Sequence, residues 1–580
     1  MRAARLTRSR PAIAAIGERL TLDAVAALFT AYAIIVFALF LALALLVPYH
    51  FWDSLSFGGW SRLIAERGGF HLPSATAPDL QRPFFYVLQG WTWRIFGFHE
   101  PLGRLLSLAF TGLLAGSLAA LARRHHRYRR VEAAIVLVLL VTSPAFLEQA
   151  LSGMSDVPTA ALVAATGAAL WLLPVSRVRF PLLVLLAACC GLTKSTGLLG
   201  LGALFLASLV GPWATLKARA LAGALPIGLG MLAALAYFQY QASQHGLTVL
   251  GLLRSGTASG FYAGLAAKGR VRAVPGLDWL GAGSTVLPLL LAFGFAYAFL
   301  RVAGARHRTA ATIAAPAGIL LSWLGPWLSA NEQTLRVGPL ASSRALVIWL
   351  LLAGPLLLAR DCPEELAPSR LGLARLLLWC VPPLAVWLHE TPYAPRLGAA
   401  AWPGLFLLLG ASLLPAFVGT ARRAPLAVAA PAAALVAGAV LCLGTIDHLD
   451  GTSWSRLAAL PRSEWFDRTE VRRAISAPGF TEALEAARRV TGAEGRVFTS
   501  SGEFRFFFPG RITQDYARSC GDLTGYTTFV LLTDSVSTSV LQGSTGSTGA
   551  ASAGYWAACT SPRLRAVESA GVYAVFRVLG

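Results

Sequence analysis

Long uninterrupted apolar runs constrain the fold of this chain more than any other feature. Residues 24–47 contain no charged side chain, and about 20 such residues suffice to cross the hydrocarbon core of a bilayer. Similar runs recur along the chain: of its 580 residues, 56% are hydrophobic and 13% charged, and the mean hydropathy is +0.61. One aqueous core cannot bury that much apolar surface. The sequence therefore predicts a polytopic α-helical membrane protein.

Thirteen apolar runs have spanning length or approach it, and polar connections of different lengths join them. They lie at residues 24–47, 103–122, 131–147, 156–173, 179–193, 196–213, 219–240, 282–301, 310–329, 343–359, 371–389, 397–416 and 425–446. A further run, residues 84–98, contains Arg94 and is short for a crossing. Trp91 and Trp93 are residue types that anchor helices at the membrane surface, so this run is predicted to lie in the interface.

The distribution of basic residues predicts how these spans are oriented. A formal net charge of +21 would also suit nucleic-acid binding, but Lys and Arg are concentrated in short clusters between the apolar runs. With residues 84–98 in the interface, every dense cluster falls on one side, which the positive-inside rule makes cytoplasmic. The sequence therefore predicts no nucleic-acid partner, a multi-pass protein of the inner membrane and a cytoplasmic N-terminus. The clusters lie at the N-terminus and at residues 123–130, 177–179, 217–219, 301–308, 360–375 and 422–423.

Three parts follow from this topology. Residues 1–23 form a basic cytoplasmic N-terminus, residues 24–446 a transmembrane domain with an outer loop at 48–103, and residues 447–580 a small extracytoplasmic α/β domain. In the last part, periodicity predicts a helix at Thr481–Val490. Strand-like runs and a Gly/Ser/Thr-rich flexible loop complete that domain. The strands are predicted at Arg496–Thr499, Thr527–Thr533 and Val572–Val578, and the loop at Gln542–Gly554.

Two carboxylates stand at the outer boundary of the predicted membrane region. Asp53 follows the first span directly, and Asp156 begins the fourth. Either residue alone suits the ordinary role of an acid at a helix end. Together, two carboxylates from separate outer loops at bilayer depth predict a general base and an orienting acid.

Cationic side chains occur on the same predicted side. Lys194 lies between two apolar runs, and a charged residue in that position indicates function because its burial is costly. Arginine can bind a phosphate through two parallel hydrogen bonds, and lysine acts as a point charge. These residues predict a phosphate-binding site, although some of them can instead extend toward lipid headgroups. The candidates are Lys194, Arg82, Arg336, Arg344 and Arg396.

Cysteine and histidine spacing predicts no metal site and no cofactor. A divalent metal stays an open alternative at His50/Asp53 or at His389/Glu390. Cys520 and Cys559 fall in the polar C-terminal region, where a disulfide can form if that region faces an oxidising compartment. No phosphate-binding loop of the ATPase type is present, which disfavours ATP hydrolysis.

The order of these motifs resembles that of the membrane-embedded C-type glycosyltransferases, in particular the family of protein O-mannosyltransferases and lipid A aminoarabinose transferases. The likeness covers most of residues 20–445. This chain has Asp53-Ser54 where the family often has Asp-Glu, Arg82-Pro83 where it has Pro-Pro, and Ser195 where it has Gly. The matching positions are Asp53, Gln81–Tyr86, Phe96-Gly97, Arg104-Leu105, Ser143-Pro144, Asp156, Leu192–Lys194, Arg396 and Pro403.

The resemblance implies a sugar donor linked to polyprenyl phosphate and an acceptor that is a glycan, a lipid or a protein, within a shell of membrane lipids. It implies that Asp53 is the base of an inverting transfer and that Asp156 orients the acceptor or the base. Lys194, Arg396 and Arg82 would stabilise the departing phosphate. Two alternatives stay open: a transporter or lipid flippase, although the two halves show no internal repeat, and a non-catalytic subunit for cell-envelope assembly.

Overall fold

A computed structural model describes most of the chain. Its described residues are mostly α-helical, and a five-stranded sheet lies near the C-terminus. The predicted class, a helical polytopic membrane protein with a small C-terminal α/β unit, is confirmed. The structure describes residues 2–49, 52–70, 83–123, 129–244, 248–249, 286–328, 343–390, 395–423, 425–433, 435–436, 454–499, 501–514, 523–532, 563–571 and 573–579.

The membrane part contains sixteen α-helices within the described residues. A short π-helical segment, Ala220–Ala224, connects α10 to α11, and a 3₁₀ segment, Pro395–Ala401, precedes α16. The helices are α1 (Arg2–Leu46), α2 (Trp52–Arg67), α3 (Pro83–Phe96), α4 (Glu100–Ala122), α5 (Arg129–Thr142), α6 (Pro144–Ser152), α7 (Asp156–Leu172), α8 (Arg179–Thr193), α9 (Ser195–Leu209), α10 (Leu216–Arg219), α11 (Leu225–Gln244), α12 (Val286–Val302), α13 (His307–Leu328), α14 (Ser343–Leu358), α15 (Arg370–Glu390) and α16 (Trp402–Arg423).

Helices occupy each predicted span from 24–47 to 397–416, because spanning length and apolar composition are local properties of the sequence. In the described residues, five helical segments are long and apolar enough to cross a membrane, and four shorter helices are apolar. The last predicted span, 425–446, is described only as far as residue 436. The short run at 84–98 is helical as α3, which packs against α2, α4 and α8.

The structure departs from the predicted elements at three places. The run 131–147 is broken at Ser143, whose backbone is extended because Pro144 follows it and disfavours a helical conformation there. The predicted outer loop 48–103 contains α2 as well as α3. The N-terminal segment continues α1 back to Arg2, since its Ala, Leu and Arg residues favour helix.

Many of the described arginines at helix connections lie at one end of the helix bundle, which we call the basic end. Arg179 donates to the carbonyls of Leu173 and Ala222, which joins the α7–α8 connection to the segment before α11. Further hydrogen bonds and ion pairs of arginine side chains link neighbouring helix connections at this end. They are Arg375 to the Val210 carbonyl, Arg370 to the Gly304 carbonyl, and the ion pairs Arg301–Glu364, Arg423–Asp361 and Arg422–Glu18.

The opposite end, at which α7 begins, is called here the Asp156 end. Because α7, α8 and α9 alternate in direction, the α8–α9 connection at Lys194 lies there too. Gly223, close to Ser208 and Leu170, shows that α9 and α7 both finish at the basic end. The N-terminus of α4 and the connection between α1 and α2 meet the C-terminal α/β unit at the Asp156 end.

Within its described residues, the C-terminal α/β unit contains three α-helices and a mixed sheet. In α18 (Arg468–Ile475), the Asp467 side chain caps the helix by accepting from the Thr469 amide at 2.8 Å. The sheet order is β2-β1-β3-β5-β4, with β1 parallel to both neighbours and β5 antiparallel to both of its own. The remaining elements are α17 (Trp454–Ala459), α19 (Phe480–Thr491), β1 (Val497–Thr499), β2 (Ile512–Gln514), β3 (Thr528–Leu532), β4 (Leu564–Ala570) and β5 (Tyr573–Val578).

The helix α19 and the strands β1, β3 and β5 coincide with the elements expected from periodicity, whereas β2 and β4 were not predicted. The predicted loop Gln542–Gly554 lies outside the described residues. The core of the unit continues into the membrane part: Tyr49, Leu55 and Trp93 belong to the same buried cluster as Phe504 and Phe506. The α/β unit is therefore packed onto α2 and α3 through a shared hydrophobic core.

Candidate active site

Asp156 and Lys194 occupy the tips of neighbouring helices. Asp156 is in the first turn of α7, where a carboxylate is stabilised by the helix dipole. Lys194 is a single extended residue, with φ −162° and ψ 140°, between the end of α8 and the start of α9. The alternation of helix direction brings the two residues to one place, although the sequence separates them by 38 positions.

The two side chains form a buried ion pair. The Lys194 Nζ donates to Oδ1 of Asp156, and only 4% and 0% of the two side chains are exposed. Within the described part of the chain, Oδ2 of Asp156 is buried and accepts no hydrogen bond. The pair therefore combines an ammonium, which can bind an anion, with a carboxylate oxygen that can accept a hydrogen bond from a hydroxyl.

Small residues hold the helix tips around this pair close together. A Cβ at Gly197 would lie 2.8 Å from the Cys190 carbonyl oxygen and 3.2 Å from Cγ2 of Thr159. The turn after Lys194 thus approaches both α8 and α7 more closely than any larger residue permits. This packing limits how far the ammonium can move from the carboxylate.

Arg104 joins the two backbone segments that lead to the predicted acids. It is almost completely buried in α4, and its guanidinium donates to the carbonyls of Pro48 and Leu151. Pro48 precedes α2, which carries Asp53, and Leu151 lies in the last turn of α6, just before Asp156. One side chain thereby fixes the relative positions of the two segments.

Tyr49 provides a second contact between these segments. Its ring lies under the Arg104 guanidinium at 4.9 Å, and its hydroxyl accepts from Nε2 of Gln89 at 2.6 Å. Gly153, with φ +74°, packs so tightly against the ring that a Cβ would lie 2.6 Å from Cε1. Only glycine suits that conformation and that distance.

Glu100 connects the α/β unit to the same region. Its Oε1 pairs with Nη2 of Arg472 in α18 at 2.6 Å, and its Oε2 accepts from the Tyr49 amide at 3.0 Å. The two paired side chains are 12% and 13% exposed, so solvent screens this ion pair only in part. The α/β unit is thus anchored by charge to the backbone just before α2.

The 3₁₀ segment Gly502–Phe506 packs directly on α2. Arg62 donates to the Phe506 carbonyl at 2.9 Å, and the Arg505 guanidinium lies 4.3 Å above the Trp60 ring. A Cβ at Gly59 would lie 2.8 Å from the backbone carbon of Arg505. The missing side chain at Gly59 therefore permits the approach of the two elements.

Glu503 is a buried acid within this 3₁₀ segment. Ser501 Oγ and the Tyr573 hydroxyl both donate to its Oε1, the former at 3.0 Å. Burial raises the pKa of Glu503 from 4.5 to about 7, although both hydrogen bonds act in the opposite direction. A carboxyl that keeps its proton to higher pH than an exposed glutamate is thus built into the segment that packs on α2.

Of the residues predicted from the sequence, the structure brings together Asp156 and Lys194. Asp53 lies in the first turn of α2, Arg344 in the first turn of α14, and Arg396 in the segment Pro395–Ala401 that packs against α7 and α9. The side chains of these three residues lie outside the described part. So do the side chains of Glu390 and His389 and the whole of Arg82, Arg336, His50, Cys520 and Cys559. Among the described side chains, no three His, Cys, Asp or Glu residues form a group that could hold a metal.

Sequence reasoning overlooked three charged residues of this region. Glu100 precedes a proline at the start of an apolar helix, and Glu503 directly precedes the phenylalanine-rich stretch 504–508, so both positions indicate buried acids in need of partners. Arg472 carries no local signal, because its partner is 372 residues away.

Comparison with known proteins identifies the fold. No protein-family model and no curated protein sequence matches the chain. Among solved structures, it is similar to ArnT, the lipid A aminoarabinose transferase, from Cupriavidus metallidurans bound to undecaprenyl phosphate, with a TM-score of 0.50, 14% identity, and coverage of 95% of this chain and 97% of that one. The apo form of that protein gives a TM-score of 0.43 at 14% identity and the same coverage.

The oligosaccharyltransferase of Archaeoglobus fulgidus in complex with zinc and sulfate gives a TM-score of 0.47 at 12% identity, covering 90% of this chain and 70% of that one. The likeness to ArnT, which extends over nearly the whole of both chains, shows that this chain has the fold of the C-type membrane glycosyltransferases. The sequence resemblance to this superfamily is thereby confirmed at the level of fold.

Proposed function

We propose that this chain, which has the C-type fold, is an integral-membrane glycosyltransferase acting at its Asp156 end. It transfers a sugar from a polyprenyl-phosphate donor to a glycan, lipid or protein acceptor. The observation that carries the proposal is the buried Asp156–Lys194 pair, at the same end of the helix bundle as the contact of Tyr49, Leu55 and Trp93 with the α/β unit. A buried ion pair is a weak stabiliser, so its presence at this junction favours a chemical role.

The donor phosphate is assigned to Lys194. An ammonium has three N–H donors, so it can hold Asp156 and contact a phosphate oxygen in the same arrangement. Arg396, Arg82, Arg336 and Arg344 are proposed to supply further positive charge. Support comes from the segment of Arg396, which packs against α7 and α9, and from the ArnT structure, which contains undecaprenyl phosphate.

The proposed reaction is an inverting displacement at the anomeric carbon. Asp53 takes the proton of an acceptor hydroxyl, the oxygen bonds to the anomeric carbon, and the bond from that carbon to the phosphate oxygen breaks. Polyprenyl phosphate leaves, and Lys194 with its neighbouring arginines stabilises the developing charge. Oδ2 of Asp156 orients the acceptor by accepting a hydrogen bond, while Arg104 keeps the segments of Asp53 and Asp156 together.

The orientation proposed for this reaction places the basic end in the cytoplasm and the Asp156 end outside the inner membrane. It is supported by the concentration of arginines at the helix connections of one end. The α/β unit is then extracytoplasmic, where a disulfide between Cys520 and Cys559 can form.

Replacement of Asp53 by Asn tests the proposal. Wild-type protein in membranes should convert a polyprenyl-linked sugar to a glycosylated product and polyprenyl phosphate, and Asp53→Asn should lower the rate by at least about a hundredfold at equal abundance. Asp23→Asn, an exposed acid of α1, is the matched control. Mass spectrometry of lipid-linked sugars and glycans in cells lacking the protein identifies donor and product. Unchanged glycan and lipid-linked pools would refute the transferase, and full activity of Asp53→Asn would remove Asp53 as the base.

A further inference from the structure

A cavity of about 480 Å³ lies toward the basic end, remote from the Asp156–Lys194 pair. Its volume falls within the range of small-molecule sites, about 300–1,000 Å³. Its charged lining residues are Glu132, Glu365 and Arg375, and its apolar lining includes Leu407, Ala411 and Leu414. The proposed transfer reaction uses none of these residues.

The lining changes from polar to apolar along the bundle axis. Glu132 is in the first turn of α5, Glu365 in the 3₁₀ segment Glu364–Leu366 and Arg375 in the second turn of α15. These positions are close to helix ends. Leu407, Ala411 and Leu414 instead follow one face of α16 in its middle, at intervals of four and three residues. A cavity with a polar mouth and an apolar interior matches an amphiphilic molecule.

The charge of the mouth indicates which headgroup suits it. Two carboxylates line it beside one guanidinium, at an end of the bundle where arginines otherwise prevail. Glu132 is partly buried, and among the described residues its carboxyl group forms no ion pair. A carboxylate among apolar helices is costly unless a cation compensates it. Arg375 donates to the Val210 carbonyl at 3.0 Å, which keeps its guanidinium at the mouth.

We infer that this cavity binds a phospholipid whose headgroup carries a primary ammonium, as phosphatidylethanolamine does. The ammonium donates to Glu132, the phosphate lies near Arg375, and an acyl chain extends along Leu407, Ala411 and Leu414. A trimethylammonium headgroup has no N–H and cannot donate a hydrogen bond to Glu132. An anionic headgroup would be repelled by the carboxylates of Glu132 and Glu365. The site is thus selective for a primary amine, whether or not the chain is a glycosyltransferase.

Lipid titration of the full-length protein in detergent micelles tests this inference. Native mass spectrometry and thermal unfolding would compare phosphatidylethanolamine, phosphatidylcholine and phosphatidylglycerol with identical acyl chains. We expect phosphatidylethanolamine to bind most tightly and Glu132→Gln to weaken its binding about tenfold or more, as the loss of a charge-assisted hydrogen bond implies. Asp23→Asn removes an acid elsewhere on the protein and should leave the affinity unchanged.

Two measurements separate lipid binding from folding. Glu132→Gln removes a buried carboxyl group that forms no ion pair among the described residues, so without lipid the variant should unfold at the wild-type temperature or above. Ala411→Phe occupies the apolar part of the cavity and should weaken all bound lipid while Glu132 is intact. Equal affinity for phosphatidylethanolamine and phosphatidylcholine would overturn the inference. So would a preference for phosphatidylethanolamine that Glu132→Gln leaves unchanged.

Discussion

Lys194→Met isolates the energetic role of the buried ion pair. The substitution removes the ammonium and leaves the Asp156 carboxylate, whose side chain is 0% exposed, without its partner. Breaking a buried pair by removing one member costs about 3–5 kcal/mol, because the remaining charge is uncompensated. The surface value of about 0–1 kcal/mol does not apply, since the lysine side chain is only 4% exposed.

The double variant Asp156→Leu/Lys194→Met distinguishes the loss of a charge partner from the loss of packing at Lys194. With both charges absent, the site is apolar, and replacement of a buried pair by apolar residues is often neutral or stabilising. The double variant should therefore recover most of the stability that Lys194→Met loses. In a double-mutant cycle of these two substitutions, the coupling energy between Asp156 and Lys194 should exceed about 1 kcal/mol. Under the proposed function it should transfer no sugar, because donor binding and acceptor orientation are both lost.

Thermal unfolding in detergent micelles, followed by tryptophan fluorescence, measures the stabilities in parallel with a sugar-transfer assay. Lys217→Met, an exposed lysine of α10 at the basic end, is the matched control and should unfold like the wild type. Wild-type stability of Lys194→Met, or additive losses in the double variant, would show that the two charges are not coupled. Either result would refute the reasoning from burial.

Three further predictions concern the α/β unit and its attachment. Burial raises the pKa of Glu503 from 4.5 to about 7 in the folded state, so as pH rises the carboxyl group loses its proton in the unfolded state before it does in the folded state. The free energy of unfolding should therefore fall by about 3 kcal/mol between pH 4.5 and pH 7 and level off above pH 7. Thermal unfolding across this pH range should show the decline in the wild type and no such decline in Glu503→Gln. Gly59→Ala should lower the unfolding free energy by about 1–3 kcal/mol through overpacking against the 3₁₀ segment, whereas Gly116→Ala, with open space around it, should be neutral or stabilising. A double-mutant cycle of Glu100→Gln and Arg472→Gln should give a coupling of about 0.5–3 kcal/mol in unfolding experiments, and strict additivity would exclude the ion pair.

Much of the architecture could be predicted because its signals are local. The helices α1, α4, α7 and α8 lie where apolar runs of sufficient length predict them, and α19 follows from one amphipathic stripe. The α5–α6 break was not predicted, although Pro144 marks it, because hydropathy alone does not register the backbone restriction before proline. The strands β2 and β4 lack a strong local pattern and depend on their neighbours in the sheet.

The candidate site was predictable only as a set of residue types on one side of a membrane. Position along the chain and the cost of burying charge singled out Asp156 and Lys194 as unusual. Neither property indicates which carboxylate meets which cation. The sequence predicts that Lys194 binds a phosphate and that Asp156 orients the acceptor or the base, and the structure adds that the two side chains bind each other.

The sequence by itself thus determined that the chain crosses a membrane many times, where most of its apolar helices lie and which of their connections are basic, since length, apolarity and charge are local properties. Only the tertiary structure decided that Arg104 joins the segments of the two acids and that Glu100 pairs with Arg472. These contacts depend on how closely helix ends approach, and that approach is set by the packing of small residues such as Gly59, Gly153 and Gly197. Close packing is a property of surfaces brought together from distant parts of the chain, which no local pattern encodes.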